Sequence, residues 1–106
     1  MFTNHQALVE KGFQSGRELI LDLMEHGIDA VHAGKSTSRT VKVNGPQLRI
    51  NSLNFDLTKG VNDIYVIGAG KATFPIAEVL ERRLGDRIRG GLISIKGREE
   101  AQLEHI

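Results

Sequence analysis

Ile64-Tyr65-Val66-Ile67-Gly68-Ala69-Gly70-Lys71-Ala72-Thr73-Phe74-Pro75 is the stretch on which the fold turns. Its first four residues form a short apolar run, the pattern of a parallel strand buried on both faces. Gly68-Ala69-Gly70 then makes a sharp turn. From Lys71 or Thr73 to Leu84 the apolar residues Phe74, Ala77, Leu80 and Leu84 recur at spacings of three and four, which is helical. Pro75 is compatible with that helix because it lies in the first turn, where a missing N–H removes no hydrogen bond. Gly85-Asp86 ends the helix, and Leu92-Ile93-Ser94-Ile95 reads as a second buried strand. Strand, glycine turn, helix and strand make a βαβ unit of a parallel, Rossmann-like sheet over residues 63–97.

Working back from that unit, Val41-Lys42-Val43 and Leu48-Arg49-Ile50 alternate around Asn44-Gly45-Pro46, which predicts a β-hairpin. Leu53, Phe55 and Leu57 continue the alternation, and Lys59-Gly60-Val61-Asn62 closes the segment. Residues 28–39 are open between a short helix and a polar connection, with a loop expected over 34–38. A long N-terminal helix is predicted from about Asn4 to His26. Val9, Phe13, Ile20 and Met24 form its apolar stripe, Thr3 and Gln6 stand in capping-box spacing, and Gly27 follows as a stop. His26 is expected to cap the helix terminus. The helix and hairpin occupy residues 1–62 of a single α/β segment. Two parallel strands and a hairpin leave edges and faces that such sheets normally bury, so the domain reads as incomplete, to be covered by more chain or another subunit.

Composition bounds the chemistry. The chain has 106 residues, 40% hydrophobic and 25% charged, with a net charge of +1, the profile of an ordinary globular segment. That balance gives no general attraction to nucleic acid or to an anionic membrane. The absence of cysteine excludes disulfides, thiolate metal sites and thiol nucleophiles, and fits a reducing, cytoplasmic setting. No apolar run approaches the ~20 residues that span a bilayer, and Met1-Phe2-Thr3-Asn4-His5 lacks the features of a signal peptide. His5, His26, His32 and His105 share no ligand spacing, so no metal site is expected. Arg82, Arg83, Arg87 and Arg89 read as a solvated helix end rather than a nucleic-acid patch.

The glycine turn is the candidate site. A turn between strand and helix leaves main-chain N–H groups pointing one way, at the positive end of the helix dipole, which suits phosphate or carboxylate. Gly68, Ala69 and Gly70 would bring that ligand close to the backbone, and Lys71 adds a mobile positive charge. The competing reading is that Gly68 and Gly70 only allow tight packing of strand on helix, with Lys71 solvated. Lys96, in Lys96-Gly97-Arg98, leaves the second strand at the same sheet edge, where open α/β sheets place their ligands; the competing reading for Lys96 alone is a solvated loop lysine. Two familiar phosphate motifs fail. A Walker loop needs glycine where Tyr65 stands and Ser or Thr where Ala72 stands; a dinucleotide fingerprint needs glycine at Thr73 and an acid where Lys96 stands.

Val66-Ile67-Gly68-Ala69-Gly70-Lys71-Ala72, followed by Leu84-Gly85-Asp86-Arg87-Ile88 and Gly90-Gly91-Leu92-Ile93, resembles the N-terminal part of type-2 glycerate kinases, also called hydroxypyruvate reductases. The preceding helix and hairpin are similar in order, and the resemblance is specific from about Val61 to Gly97. It implies phosphorylation of glycerate at its 2-hydroxyl, with ATP as phosphoryl donor and Mg2+ assisting. It further implies that Lys71 is catalytic, offsetting charge on phosphate or carboxylate oxygens. Lys96-Gly97 resembles the family's strand-end lysine–glycine, but Arg98 stands where a histidine is common. Family members are roughly four times this length, in two domains. Their serine–glycine–glycine–glycine–serine loop, their asparagine–arginine–lysine segment and their second domain have no counterpart here. The chain therefore resembles the N-terminal portion of a larger two-domain enzyme. A sugar-phosphate-binding module of the sugar-isomerase kind, and a structural or assembly domain, are the alternatives that the residues alone leave open.

Overall fold

The structure, a computed structural model, describes residues 1–58, 63–99 and 101–106. The expected closing segment Lys59-Gly60-Val61-Asn62 lies outside the described residues. The chain divides into two compact units, Met1–His32 and Ala33–Ile106.

In the first unit the single long helix of the sequence reading is two helices, α1 (His5–Val9) and α2 (Gln14–Ala30). The break has a local cause: Gly12 sits at φ 80°, in the left-handed region, where a right-handed helix cannot pass. α1 folds back on α2, with Val9 and Leu21 buried and Arg17 Nη1 donating to the Leu8 carbonyl at 3.0 Å. The expected capping box does not form. Asn4 holds the N-cap position without a side-chain cap, and Gln6 Nε2 donates to Glu10 Oε1 instead. Gly27 does not stop α2, which runs on to Ala30. His26 is consequently interior to the helix, not its cap, and its Nδ1 lies 2.8 Å from the Asp22 carbonyl oxygen. That carbonyl, and next the Asp22 carboxylate, hold the imidazole above its ordinary pKa.

The second unit opens with a helix where a loop was expected, α3 (Ala33–Thr40). Its serines and threonines are poor helix formers because their hydroxyls compete for backbone partners. Here the competition is absorbed inside the helix: Thr37 Oγ1 donates to Ala33 O at 2.7 Å and Thr40 Oγ1 to Ser36 O at 2.8 Å. The hairpin forms as predicted, from β1 (Val41–Asn44) and β2 (Gln47–Ile50), with Val41 opposite Ile50 and Val43 opposite Leu48. Gly45 at φ 56° supplies the positive φ that a type II′ turn needs at its first central position, and the fixed φ of Pro46 suits the second. β3 (Leu53–Asp56) adds an antiparallel third strand.

β3 ends in a side-chain turn. Asp56 Oδ1 accepts from Thr58 Oγ1 at 2.5 Å and from Thr58 N at 2.9 Å. The hydroxyl bond first, then the amide bond, lowers the Asp56 pKa from the usual carboxylate value. Because the folded value is depressed, this link stabilises the turn above the unfolded pKa and is lost as pH falls through the folded one. Thr58→Ala should move the Asp56 carboxyl back toward its ordinary titration, as read by carbon NMR; an unmoved curve would contradict the assignment.

The βαβ unit is as predicted in order and type. β4 (Ile64–Ala69) leads to α4 (Thr73–Leu84), a 3-10 turn over Gly85–Arg87, and β5 (Ile88–Ser94), which pairs parallel to β4 from Ile64–Ile88 to Ala69–Ser94. Pro75 occupies the first turn of α4. One core joins the unit to the hairpin: Val41, Leu48, Leu84 and Ile88 are buried together, with Ile64, Val66, Leu80 and Ile106 packed around them. Of the arginines expected to be solvated, Arg82, Arg87 and Arg89 are exposed and Arg83 is half-buried, and three of them also make bonds within this unit. Arg83 donates to Ser38 O at 3.3 Å, Arg87 to Gly45 O at 2.6 Å, and Arg89 pairs with Asp63 at 3.7 Å.

The expectation of strands buried on both faces is met on one. Tyr65, Ile67 and Leu92 stand on the opposite face and are 62%, 85% and 74% exposed. Among the described residues of this unit, α4 and the hairpin cover the Ile64–Val66 side of β4. Among the described residues no helix is long and apolar enough to cross a membrane.

Candidate functional site

The glycine turn lies where β4 gives way to α4, at the carboxyl edge of the parallel sheet. The two glycines there have different physical reasons. A Cβ on Gly68 would meet Thr73 Cγ2 at 2.6 Å, so Gly68 is glycine because the first residue of α4 packs directly onto the strand. A Cβ on Gly70 would make only ordinary contact, with Thr73 Oγ1 at 3.8 Å, but Gly70 adopts φ 122°, a conformation that L side chains rarely adopt. Packing thus accounts for Gly68, and turn geometry for Gly70.

The amides of the turn are partly committed. Gly70 N–H donates to Ser94 O at 3.0 Å, stitching the turn to the last residue of β5, and Thr73 N–H donates to Gly70 O at 3.3 Å. The N–H groups of Lys71 and Ala72 have no such partner among the described residues. Both residues are exposed, no side chain caps the helix, and Lys71 forms no ion pair among the described residues. Among the described residues this corner thus combines two exposed residues with unbonded N–H groups, one ammonium group and the positive end of a 12-residue helix. Groups of this kind suit a compact oxyanion chemically.

Ala69 pairs with Ser94, so Lys71 and Lys96 each stand two residues beyond a matched pair on neighbouring parallel strands. The structure brings both lysines to one edge of the sheet. Lys96 is exposed and precedes Gly97, whose φ of 94° turns the chain away. Sequence reasoning passed over Thr73 and Ser94, which shape the corner; the signal for Thr73 was its place where a dinucleotide motif puts glycine. Among the described residues no group of three or more His, Cys, Asp or Glu side chains is arranged to hold a metal ion.

A family model described as a domain of unknown function, DUF4147, matches residues 19–106. The chain belongs to the DUF4147 family. DUF4147 domains are found in proteins of the glycerate kinase family. The matched span holds α4, β1 to β5 and both candidate lysines. The DUF4147 chain is similar to a protein named glycerate kinase from Danio rerio, 31% identical over 68 residues, which are 64% of this chain and 13% of that one. It is similar also to one of that name from Mus musculus, 29% identical over 105 residues, 97% of this chain and 18% of the relative. The chain thus spans less than a fifth of the length of these curated relatives. No solved structure matches it.

Proposed function

We propose that this chain is the N-terminal portion of an ATP-dependent glycerate 2-kinase, in which the Gly68–Lys71 turn holds phosphate or substrate oxygens. Kinship with proteins named glycerate kinase supports the substrate and the reaction class. The observation that carries the site is the pair of N–H groups at Lys71 and Ala72 that have no partner among the described residues, beside the Lys71 ammonium. In the reaction the glycerate 2-hydroxyl oxygen forms a bond to phosphorus as the bond to the departing nucleoside diphosphate breaks. ATP supplies the phosphoryl group. Negative charge accumulates on oxygens during that transfer, and fixed donors aimed at them stabilise it. Lys71 supplies the full charge, the turn amides hold the geometry, and Lys96 offsets charge from the neighbouring strand. Gly68, Ala69 and Gly70 shape the turn that presents those donors, Gly68 by admitting the Thr73 side chain and Gly70 by its φ of 122°.

Magnesium fits the described residues poorly, since they offer no carboxylate cluster, and its oxygen ligands would come from the nucleotide and from the rest of a longer protein. The open apolar face formed by Tyr65, Ile67 and Leu92 points the same way, toward completion by further chain or another subunit. The test is a coupled assay with glycerate and ATP. The complete protein should form phosphoglycerate, and the 106-residue chain alone should not turn over. A sugar phosphate bound tightly by the isolated chain, with glycerate and ATP ignored, would overturn the proposal in favour of a binding module.

Packing at the turn makes a second prediction. Gly68→Ala should cost about 1–3 kcal/mol, the usual range for an overpacked contact, because the new methyl collides with Thr73 Cγ2. Adding Thr73→Ser removes the colliding methyl and should restore most of that loss in a denaturant titration. A double variant no more stable than Gly68→Ala alone would show that the contact is not the cause.

A further inference from the structure

The antiparallel sheet carries a charge arrangement that its own stability does not explain. Lys42 and Arg49 are directly opposed across β1 and β2. Both are exposed, on the face turned away from buried Val41 and Leu48. Like charges in that position destabilise a sheet. The third strand offers no relief: the residue opposite Arg49 on β3 is Asn54, and the carboxylate of Asp56 is engaged by Thr58. A net charge of only +1 means that the pair is not the overflow of a generally basic surface.

The pair lines a recess of about 480 Å³ together with Arg39, Thr40, Asn51 and Ser52, and among the described residues no carboxylate lines it. Its wall is built. Asn51, at φ 52°, donates its N–H to Thr40 O at 3.1 Å, which fastens the β2–β3 turn to the end of α3. Arg49 Nε donates to Asn51 O at 2.9 Å, which fixes the guanidinium and leaves its two terminal NH2 groups without a partner among the described residues. A held guanidinium fork matches two oxygens of a phosphate, and an ammonium beside it offsets the second charge. The recess also falls in the size range of small-ligand sites.

We propose that this recess binds a phosphate dianion, either the free ion or the phosphate group of a small organic monoester, at a site separate from the glycine turn. The uniformly 15N-labelled chain would be titrated with inorganic phosphate and with ribose 5-phosphate, following amide shifts. Saturable shifts should concentrate at residues 39–42 and 49–52. Lys42→Gln with Arg49→Gln should weaken binding there at least about tenfold, the cost of losing a charge-assisted hydrogen bond. Tighter binding of ribose 5-phosphate would assign a monoester site, and tighter inorganic phosphate a free-ion site. Lys42→Glu should abolish the shifts while raising the thermal midpoint, because an opposed like-charge pair becomes an ion pair. Shifts confined to residues 68–73, shifts spread evenly over every lysine and arginine, or none at all would each overturn the proposal. Lys71→Gln keeps the two sites apart: it should leave the shifts at 39–52 intact, whatever it does to the turn.

Discussion

Lys71→Ala in the complete protein should lower kcat/KM for glycerate phosphorylation at least about tenfold, and toward a hundredfold if the ammonium acts mainly on charge that develops during transfer. The argument rests on position. Lys71 is exposed, forms no ion pair among the described residues, and stands beside the two amides of the turn that remain unbonded. Its side chain supports no packing, so the variant should keep the parent's thermal midpoint. The two kinetic constants separate what the lysine does: a fall confined to kcat places its contact in the transition state, whereas a rise in KM alone means ground-state binding. Lys71→Arg retains the charge with a different shape and should recover part of the loss. Unchanged kinetics in Lys71→Ala would refute the role.

The largest effect on stability is expected at Ile88. It is 2% exposed, opens β5 and packs with Leu84 of α4 and with Val41 and Leu48 of the hairpin. A single side chain therefore joins the parallel sheet, its helix and the antiparallel sheet. Ile88→Ala should cost about 2–5 kcal/mol, the transfer loss plus a cavity that three elements cannot all collapse into. That is a large share of the about 5–15 kcal/mol by which ordinary domains are stable, so unfolding of the Ala33–Ile106 unit at moderate denaturant is the expected readout. Ile67→Ala is the matched control. Ile67 has similar chemistry but is 85% exposed in this chain, and its truncation should cost little. Equal losses at the two positions would contradict the core described for this unit.

The parts legible in the sequence are those whose causes are local. A positive φ at Gly70, a proline confined to the first turn of α4, and apolar residues at spacings of three and four all act within a few residues of one another. The same holds for Gly45-Pro46 at the hairpin. Where a prediction failed, the deciding interaction lay further off or was weak. α3 has the composition of a loop, and it is helical because Gly34 is buried, α4 packs against it and Arg83 reaches the Ser38 carbonyl. Gly12 and Gly27 carry the same intrinsic penalty in a helix, yet one breaks it and the other is carried through, a difference propensity does not encode.

The site divides along the same line. That a glycine turn with a lysine would stand at the end of a strand was readable from Gly68 to Lys71. That the Gly70 amide would be spent on the Ser94 carbonyl was not, because it depends on the register of β4 against β5. The anion site we propose is therefore narrower than the motif implied, and it centres on Lys71 and Ala72 rather than on the glycines themselves.

The most direct measurement is a structure of the complete protein with glycerate and a non-hydrolysable ATP analogue bound. An oxygen of one of these ligands should lie about 2.7–3.2 Å from the main-chain nitrogens of Lys71 and Ala72, with the Lys71 ammonium on the same group. If both ligands are seated and neither reaches that corner, the turn is a packing device and the phosphate role assigned to it is wrong.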